Sequence, residues 1–307
     1  RSSGPPKPCE SRDPAVRDPI TNACAFPARH TETAKQPSIE ASRSLPMHII
    51  VCVKQVPDTT RVEVDPETKT LKREGVESVL NPLDTFAVEE ALAIRERLGG
   101  TVTALTLGPP QAETMLRQVM ALGVDEAVLV SGREFAGSDT WATSYALARA
   151  AGTLGDYDLI LCGKQAVDGD TAHVGPEIAV HLDLPQATYV RDVGEISRET
   201  VVVERLTDEG TQRVRLPLPA VLTVVKDLNE PRLPNLEDLC RGRFADLQTL
   251  DAADIKADIR EIGLDGSPTR VVEIFSPSSE RAGKIFEDDL PGGMQEVVDF
   301  LDEEGVL

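Results

Sequence analysis

From residue 47 onward the chain alternates between two patterns of apolar and polar positions. One pattern is a short apolar run rich in β-branched residues, found at 48–54, 102–108, 126–132 and 157–163. The other places apolar residues every three or four positions, the helical period, at 83–98, 111–122 and 140–154. Apolar strands that alternate with helices are typical of a parallel sheet covered on both faces. The pattern therefore predicts an α/β fold with a doubly wound, mostly parallel sheet.

The pattern changes after residue 199. Alternating residues at 200–206 and 212–216, separated by TDEGT, predict an antiparallel hairpin, and an apolar strand follows at 220–226. Residues 230–243, EPRLPNLEDLCRGR, begin an extended C-terminal arm. The segment 287–304 has eight acidic residues and no basic one. Its apolar residues lie at helical spacing, which predicts a short amphipathic helix packed on the core or on a partner.

The first 46 residues differ from the rest of the chain. They are rich in proline, serine and charge and follow neither period, which predicts a disordered extension. They lack the apolar core of a secretory signal, and their acidic residues argue against a transit peptide. Met47 stands directly before the first strand, so a functional protein that begins at Met47 is an open alternative. We expect three parts: the extension at 1–46, an α/β domain at 47–229, and the arm with its acidic tail at 230–307.

Composition narrows the class of partner. With 307 residues, 40% of them hydrophobic, the chain can bury one substantial core. Its net charge of −20 argues against binding to nucleic acid or to an anionic membrane, and no apolar run approaches the roughly 20 residues of a membrane span. The five cysteines include no C-x-x-C pair, which argues against a disulfide framework or a structural metal site and fits a cytoplasmic location. We expect proteins or small ligands as partners.

Loops after the strands are the candidate ligand-binding segments, because ligands bind at the carboxyl ends of the strands in such sheets. No G-x-G-x-x-G follows the first strand and no G-x-x-x-x-G-K-[ST] occurs, which excludes a standard Rossmann site and a P-loop. The segment GKQAVDGDTAHVGP at 163–176 is rich in glycine and charge. We expect it to lead into a helix at about 171–182 that begins after Asp170 as N-cap. The free amides of a first helical turn bind phosphate well.

Individual side chains in these loops have more than one interpretation. Gly163 and Gly169 allow a ligand to approach the backbone closely, and Asp168 could accept from a hydroxyl or amine of the ligand. Lys54 and Lys164 each follow a strand, where a cation would help to bind phosphate. From the residues alone, a surface turn without ligand and two solvent-exposed lysines are equally good explanations.

A family resemblance connects these segments. VCVKQVPDT, LNPLDTFAVEEAL, TLGPPQAETMLRQVMALGVDEAVLV, GKQAVDGDTAHVGPEIAVHLDLPQATYV and LPAVLTVVKDLNEPRLPNL together resemble the electron transfer flavoprotein β-subunit family, over about 47–255. The resemblance implies the adenine nucleotide alpha hydrolase-like fold and a heterodimer with an α subunit. It also implies an electron carrier rather than a stand-alone enzyme, with 47–229 as the nucleotide-binding domain and 230–307 as the partner-binding part.

The resemblance implies a nucleotide site in this subunit. The matching positions are Cys52, Asn81, Pro82, Leu83, Asp84, Leu107, Gly163, Lys164, Gln165, Ala166, Val167, Asp168, Gly169, Asp170, Thr171, Ala172, His173 and Val174. Ordinary members of the family hold AMP there and carry FAD on the α subunit. Electron-bifurcating members hold a second FAD there and oxidise NADH beside it. DGDTAHVGP resembles the bifurcating form, with His173 in place of glutamine, so we expect FAD, with AMP alone as the alternative.

The resemblance also implies a docking residue. Leu233 matches the leucine that docks on acyl-CoA dehydrogenases in the family, but the basic cluster after it survives only as Arg241 and Arg243. An acyl-CoA dehydrogenase-type enzyme or another flavoprotein is therefore the expected redox partner. We expect no metal site, because His173 and His181 lie eight residues apart, whereas adjacent positions on a helix face are four apart. These histidines are expected to be solvated or to face the ligand, Cys52 and Cys162 to be inert, and Trp141 and Tyr145 to pack in the core.

Overall fold

A nine-stranded sheet forms the centre of the structure, a computed structural model that describes residues 46–58, 78–270, 272 and 290–305. The predicted N-terminal extension lies almost wholly outside the described residues, as does the start of the acidic tail. The strands of the main sheet are β1 (Met47–Cys52), β4 (Gly100–Leu107), β5 (Glu126–Val130), β6 (Leu159–Gly163), β7 (Gln186–Ile196), β8 (Thr200–Thr207), β9 (Gly210–Pro217), β10 (Ala220–Val224) and β11 (Gln248–Leu250).

Smaller elements complete the described chain. The short strands β2 (Gln55–Pro57) and β3 (Ser78–Leu80) pair antiparallel in a second sheet. The helices are α1 (Asp84–Leu98), α2 (Ala112–Ala121), α3 (Thr140–Ala151), α4 (Val174–His181), α5 (Leu236–Phe244) and α6 (Leu290–Glu303). No helix in the described segments has both the length and the apolar character that a membrane crossing requires.

The main sheet has the order β11-β5-β4-β1-β6-β10-β7-β8-β9. All pairs from β11 to β7 are parallel, whereas β7 with β8 and β8 with β9 are antiparallel. The chain winds from β1 to β4 and β5 on one side, then returns to β6 on the other. The predicted doubly wound, mostly parallel α/β fold and its added hairpin are confirmed.

Alternation along the central strands explains why both faces are covered. Ile49 and Val51 of β1 belong to one apolar cluster, and Ile50 and Cys52 belong to a second. Helices α1 and α2 contribute to the first cluster, with residues such as Leu92. Helices α3 and α4 contribute to the second. Because side chains alternate along a strand, one continuous apolar run supplies two cores.

Four strands do not follow from the sequence patterns. The longest strand, β7, mixes buried and exposed residues irregularly, and its pairing with β8 shifts register between Val190 and Asp192. Strands β2, β3 and β11 have only three residues each, too few to show a period. Irregular or very short strands leave no periodic signal for sequence reasoning to detect.

The arm is anchored on the helices of one face. Arg232 donates to Glu89 and to Glu96, both on α1. Arg117 on α2 donates to the carbonyls of Gly242, Arg243 and Ala245. These carbonyls lie at the end of α5, where a helix supplies no N–H of its own to bind them. These charged bonds hold the first part of the arm extended, and the second part forms α5.

The chain after β11 adds buried residues to one apolar cluster and ends in a helix. Ala252, Ile255 and Ile262 are buried in the cluster that includes α3 and α4. The predicted C-terminal helix is present as α6, and its residues Met294 and Val297 are exposed.

Candidate functional site

A cleft of about 350 Å³ opens where β1 and β6 end. These strands are neighbours, with Cys52 in register with Cys162, and the chain leaves them toward opposite sides of the sheet. Their carboxyl ends thus form the switch point of the doubly wound sheet, the place where such folds bind ligands. Val53 and Lys54 after β1, and Lys164 after β6, line the cleft.

The loop after β6 does not have the predicted course. Helix α4 begins at Val174, with His173 as an N-cap that makes no side-chain capping bond. The predicted start near 171 after Asp170 is wrong, because Asp170 and Ala172 have φ values of 53° and 56°. Left-handed residues cannot belong to a right-handed helix. The amide of Asp170 instead donates to the carbonyl of Ala166, 2.8 Å away, and closes a turn inside the loop.

The later helix start determines which amides are free. Pro176 has no N–H, and the amide of Glu177 donates to the carbonyl of His173. Val174 and Gly175 are therefore the helical residues whose amides lie before the first intrahelical bond, and both line the cleft. A Cβ at Gly175 would collide with Thr223, so only glycine allows this close approach. The predicted anion-binding helix start is thus shifted by about three residues.

Asn81 connects the loops after β1 and β6 through hydrogen bonds. Its buried side chain donates to the carbonyl of Gln165 at 2.9 Å and accepts from the amide of Val167 at 3.2 Å. Its own amide donates to the carbonyl of Lys54 at 2.9 Å. One residue thereby satisfies backbone groups from the loop after β1 and from the loop after β6.

Asp84, the first residue of α1, reinforces the same connection. Its carboxylate accepts from the amide of Lys54 at 2.8 Å and is hydrogen-bonded by the amide of Gly163. A Cβ at Gly163 would collide with Asp84 and lie 2.8 Å from the Leu83 carbonyl. Burial raises the pKa of Asp84 to about 7, although its hydrogen bonds act in the opposite direction. We call Asn81 and Asp84 the clamp.

The acidic residues of the loop are occupied by neighbours. Asp168 accepts from the Nζ of Lys54 through both oxygens, at 2.8 and 2.9 Å. Asp170 accepts from the side-chain amide of Gln165. Lys54 thus neutralises Asp168, whereas the neutral amide of Gln165 holds Asp170 in the loop without cancelling its charge.

A second wall of the cleft includes the end of the loop after β5, one of the candidate loops after strands, although no residue in it was singled out from the sequence. The cleft is also lined by Ser138, Asp139, Thr140 and Thr143, from the loop after β5 and the start of α3. Asp139 caps α3 by accepting from the amide of Ala142 at 3.1 Å. A loop after a strand that ends in an N-cap aspartate was the available signal.

Most of the residues named from the resemblance lie at the cleft. Those that line it are Cys52, Asp84, Leu107, Gly163, Lys164, Gln165, Ala166, Gly169, Asp170, Thr171, Ala172, His173 and Val174. Asn81, Pro82, Leu83, Val167 and Asp168 are adjacent in the chain or bonded to these but do not line it. Their roles toward a nucleotide stay predictions.

Other candidate side chains have structural surroundings. Cys52 hydrogen-bonds Cys162 and, together with burial, raises the pKa of the Cys162 thiol, which keeps it protonated and unreactive. The ring of His181 lies 4.2 Å from that of Trp141 and 5.6 Å from that of Tyr145, so the expectation that His181 is solvated or faces the ligand is wrong. Within the described ranges, no cluster of three or more His, Cys, Asp or Glu could hold a metal ion.

Comparison with known proteins identifies relatives. The family model described as electron transfer flavoprotein domain matches residues 68–255. The chain is 47% identical to the electron transfer flavoprotein subunit beta of Thermoanaerobacterium thermosaccharolyticum over 262 residues, 85% of this chain and 100% of the relative. It is 42% identical to protein FixA of Sinorhizobium fredii over 262 residues, covering 83% and 92%. It is 44% identical to the caffeyl-CoA reductase-Etf complex subunit CarD of Acetobacterium woodii over 240 residues, covering 78% and 91%.

Asn81→Ala is expected to destabilise the chain by about 1–3 kcal/mol, because two partly buried backbone groups lose their hydrogen-bond partner. Urea denaturation measures this change, and amide exchange at 163–170 should become faster. The matched control is Asn235→Ala, which removes the exposed N-cap of α5 and should cost about 1 kcal/mol. A loss for Asn81→Ala no larger than that of the control would contradict the role of the clamp.

Asp84→Asn is expected to remove a pH dependence of stability. The folded-state pKa of about 7 lies above the ordinary value of 3.8, so Asp84 contributes stability that is full below 3.8 and is lost as pH rises through about 7. Between pH 5 and pH 8 this loss is of the order of 2 kcal/mol. Urea denaturation should show wild type losing that much more stability than the variant, whereas the exposed Asp246→Asn should parallel wild type. Parallel curves for Asp84→Asn would refute the assignment.

Proposed function

Because the chain belongs to the electron transfer flavoprotein β-subunit family, we propose that it is the small subunit of a cytoplasmic heterodimer with an α subunit. The heterodimer passes electrons from dehydrogenases or NADH to downstream acceptors. This subunit binds an adenine nucleotide in the cleft after β1 and β6, and that nucleotide is FAD. The observation that carries the proposal is the position of the cleft at the switch point, with glycine-lined loops and free helical amides around it.

The chemistry of the cleft suits a phosphorylated ligand. The amides of Val174 and Gly175, the ammonium of Lys164 and the exposed hydroxyl of Thr171 are donors toward phosphate oxygens. Leu107 and Leu147 add apolar surface for an adenine ring. When bound, FAD supplies the redox chemistry, and the residues of this chain bind it, orient it and shield it from water.

Two features support FAD rather than AMP. The sequence from Asp168 to Pro176 resembles the bifurcating form of the loop, and no atom lies within 4 Å of the position that a Cβ of Gly169 would take. A ligand longer than a mononucleotide therefore has room to pass this residue. A subunit that holds only AMP is the second candidate, because about 350 Å³ is near the lower end of ligand-pocket volumes. FAD would have to extend beyond the cleft.

The exposed apolar side chains of the arm are suited to binding a redox partner. Leu233 is 89% exposed beside the anchored Arg232, and Leu236 and Phe244 are also exposed. Arg241 forms an ion pair with Asp238, so its charge is engaged within α5. We infer that the partner binds this surface mainly through apolar contact. The name of the CarD relative places that protein in a complex with a caffeyl-CoA reductase, which supports a partner here that acts on an acyl-CoA thioester.

The nucleotide content of the heterodimer tests the cofactor. After co-expression with its α subunit, we expect two FAD and no AMP per heterodimer, with one flavin reduced by NADH. Absorbance spectroscopy and chromatography of the released nucleotides measure both quantities. One FAD with one AMP would establish the second candidate, and a heterodimer whose β subunit carries no nucleotide would refute the site itself.

Leu233→Ala tests the docking surface. We expect the KM for an acyl-CoA dehydrogenase partner to rise about tenfold, because burying a leucine side chain contributes about 1.5–3 kcal/mol. Flavin content should stay at the wild-type level. Val180→Ala, which truncates a side chain on α4 that is also exposed but lies outside the arm, serves as control and should leave KM unchanged. Equal KM values for Leu233→Ala and wild type would exclude the arm from docking.

A further inference from the structure

Two lysines line the cleft, but they differ in their partners. The Nζ of Lys54 lies 2.8 Å from a carboxylate oxygen of Asp168, so its charge is balanced by a neighbouring carboxylate. In the part of the chain that the structure describes, no ion pair engages Lys164. Its Nζ lies instead over the ring of Tyr189, 5.0 Å from the centroid. The unbalanced positive charge at the cleft therefore belongs to Lys164.

Tyr189 has an unfavourable backbone conformation. Its φ is 58°, in the left-handed region that bulky residues rarely adopt. It lies where the pairing of β7 with β10 shifts register between Leu222 and Val224. The hydroxyl of Thr223 accepts from its amide at 3.2 Å, which helps to keep the bulge. Strain of this kind persists where the surrounding structure enforces it and often marks a functional position.

An aromatic ring differs from a carboxylate as a partner for lysine. The face of the ring attracts the ammonium electrostatically but leaves its net charge unneutralised. The ammonium then keeps N–H donors free for an anion. Asp168, in contrast, cancels the charge of Lys54 and accepts its protons. A lysine held by a ring is thus restrained in position and still able to bind phosphate.

We infer that Tyr189 is a positioning residue that holds Lys164 at the cleft, and that Lys164 rather than Lys54 is the cation that binds the phosphate groups of the ligand. The inference rests on the proposed nucleotide site. It assigns the strained bulge in β7 a role: the bulge turns the ring of Tyr189 toward Lys164 instead of leaving it in the regular alternation of the strand. The ligand class is a phosphate ester of adenosine, either a monophosphate or a diphosphate.

Titration calorimetry on the purified heterodimer tests the inference, with AMP and FAD added after the nucleotide has been removed by dialysis at high salt. Tyr189→Phe keeps the ring and should bind within twofold of wild type. Tyr189→Gly removes the ring and also relieves the left-handed strain. It should bind about five- to tenfold more weakly while its melting temperature equals or exceeds that of wild type. A residue that only supported the fold would lose affinity and stability together.

Lys164→Met and its combination with Tyr189→Gly complete a double-mutant cycle. Lys164→Met should weaken binding at least as much as Tyr189→Gly, and the double variant should bind no more weakly than Lys164→Met alone. Tyr189→Asn, which tolerates the left-handed conformation, replaces the glycine variant if that one does not fold. Additive losses in the double variant, or wild-type affinity in the ring-free variant, would overturn the role of Tyr189. If wild type itself binds neither nucleotide, the proposed function fails instead.

Discussion

The hydrogen bonds of the clamp, from Asn81 and Asp84 to the loops after β1 and β6, are the constraint on which the site depends. Two parallel strands that end side by side leave their loops free to diverge, and nothing in the sheet itself fixes the gap between them. The clamp connects both loops to the start of α1. Because Asn81 and Asp84 are buried, their polar groups must keep these partners, and the loops are held in one arrangement.

Charge in the cleft follows from this arrangement. The chain has a net charge of −20, and two aspartates lie in the β6 loop. Lys54 neutralises Asp168, whereas the neutral amide of Gln165 holds Asp170 without cancelling its charge. Lys164 and the amides of Val174 and Gly175 are then the groups left to meet an anion. An acidic protein can thus contain a locally favourable phosphate site, because contacts within a few ångströms outweigh distant charges that solvent screens.

Sequence reasoning identified the sheet, the hairpin and the loop after β6, because each has a periodic or compositional signal. It placed the start of α4 too early, since Asp170 is a good N-cap by type and only its left-handed φ excludes that role. The hydrogen bonds of Asn81 to Gln165 and Val167 join residues more than 80 positions apart, which no local pattern reveals. The wall at 138–143 depends in the same way on how β5 and α3 are placed in space.

Hydrogen exchange of the heterodimer, measured with its nucleotide bound and after its removal, tests most directly whether the clamped loops form the nucleotide site. Slower exchange in the bound state is predicted at 163–175 and at 138–143, the two walls of the cleft, with no change at 231–244 in the arm. Exchange that is equal in both states at 163–175, with protection found elsewhere in the chain, would contradict the assignment of the site.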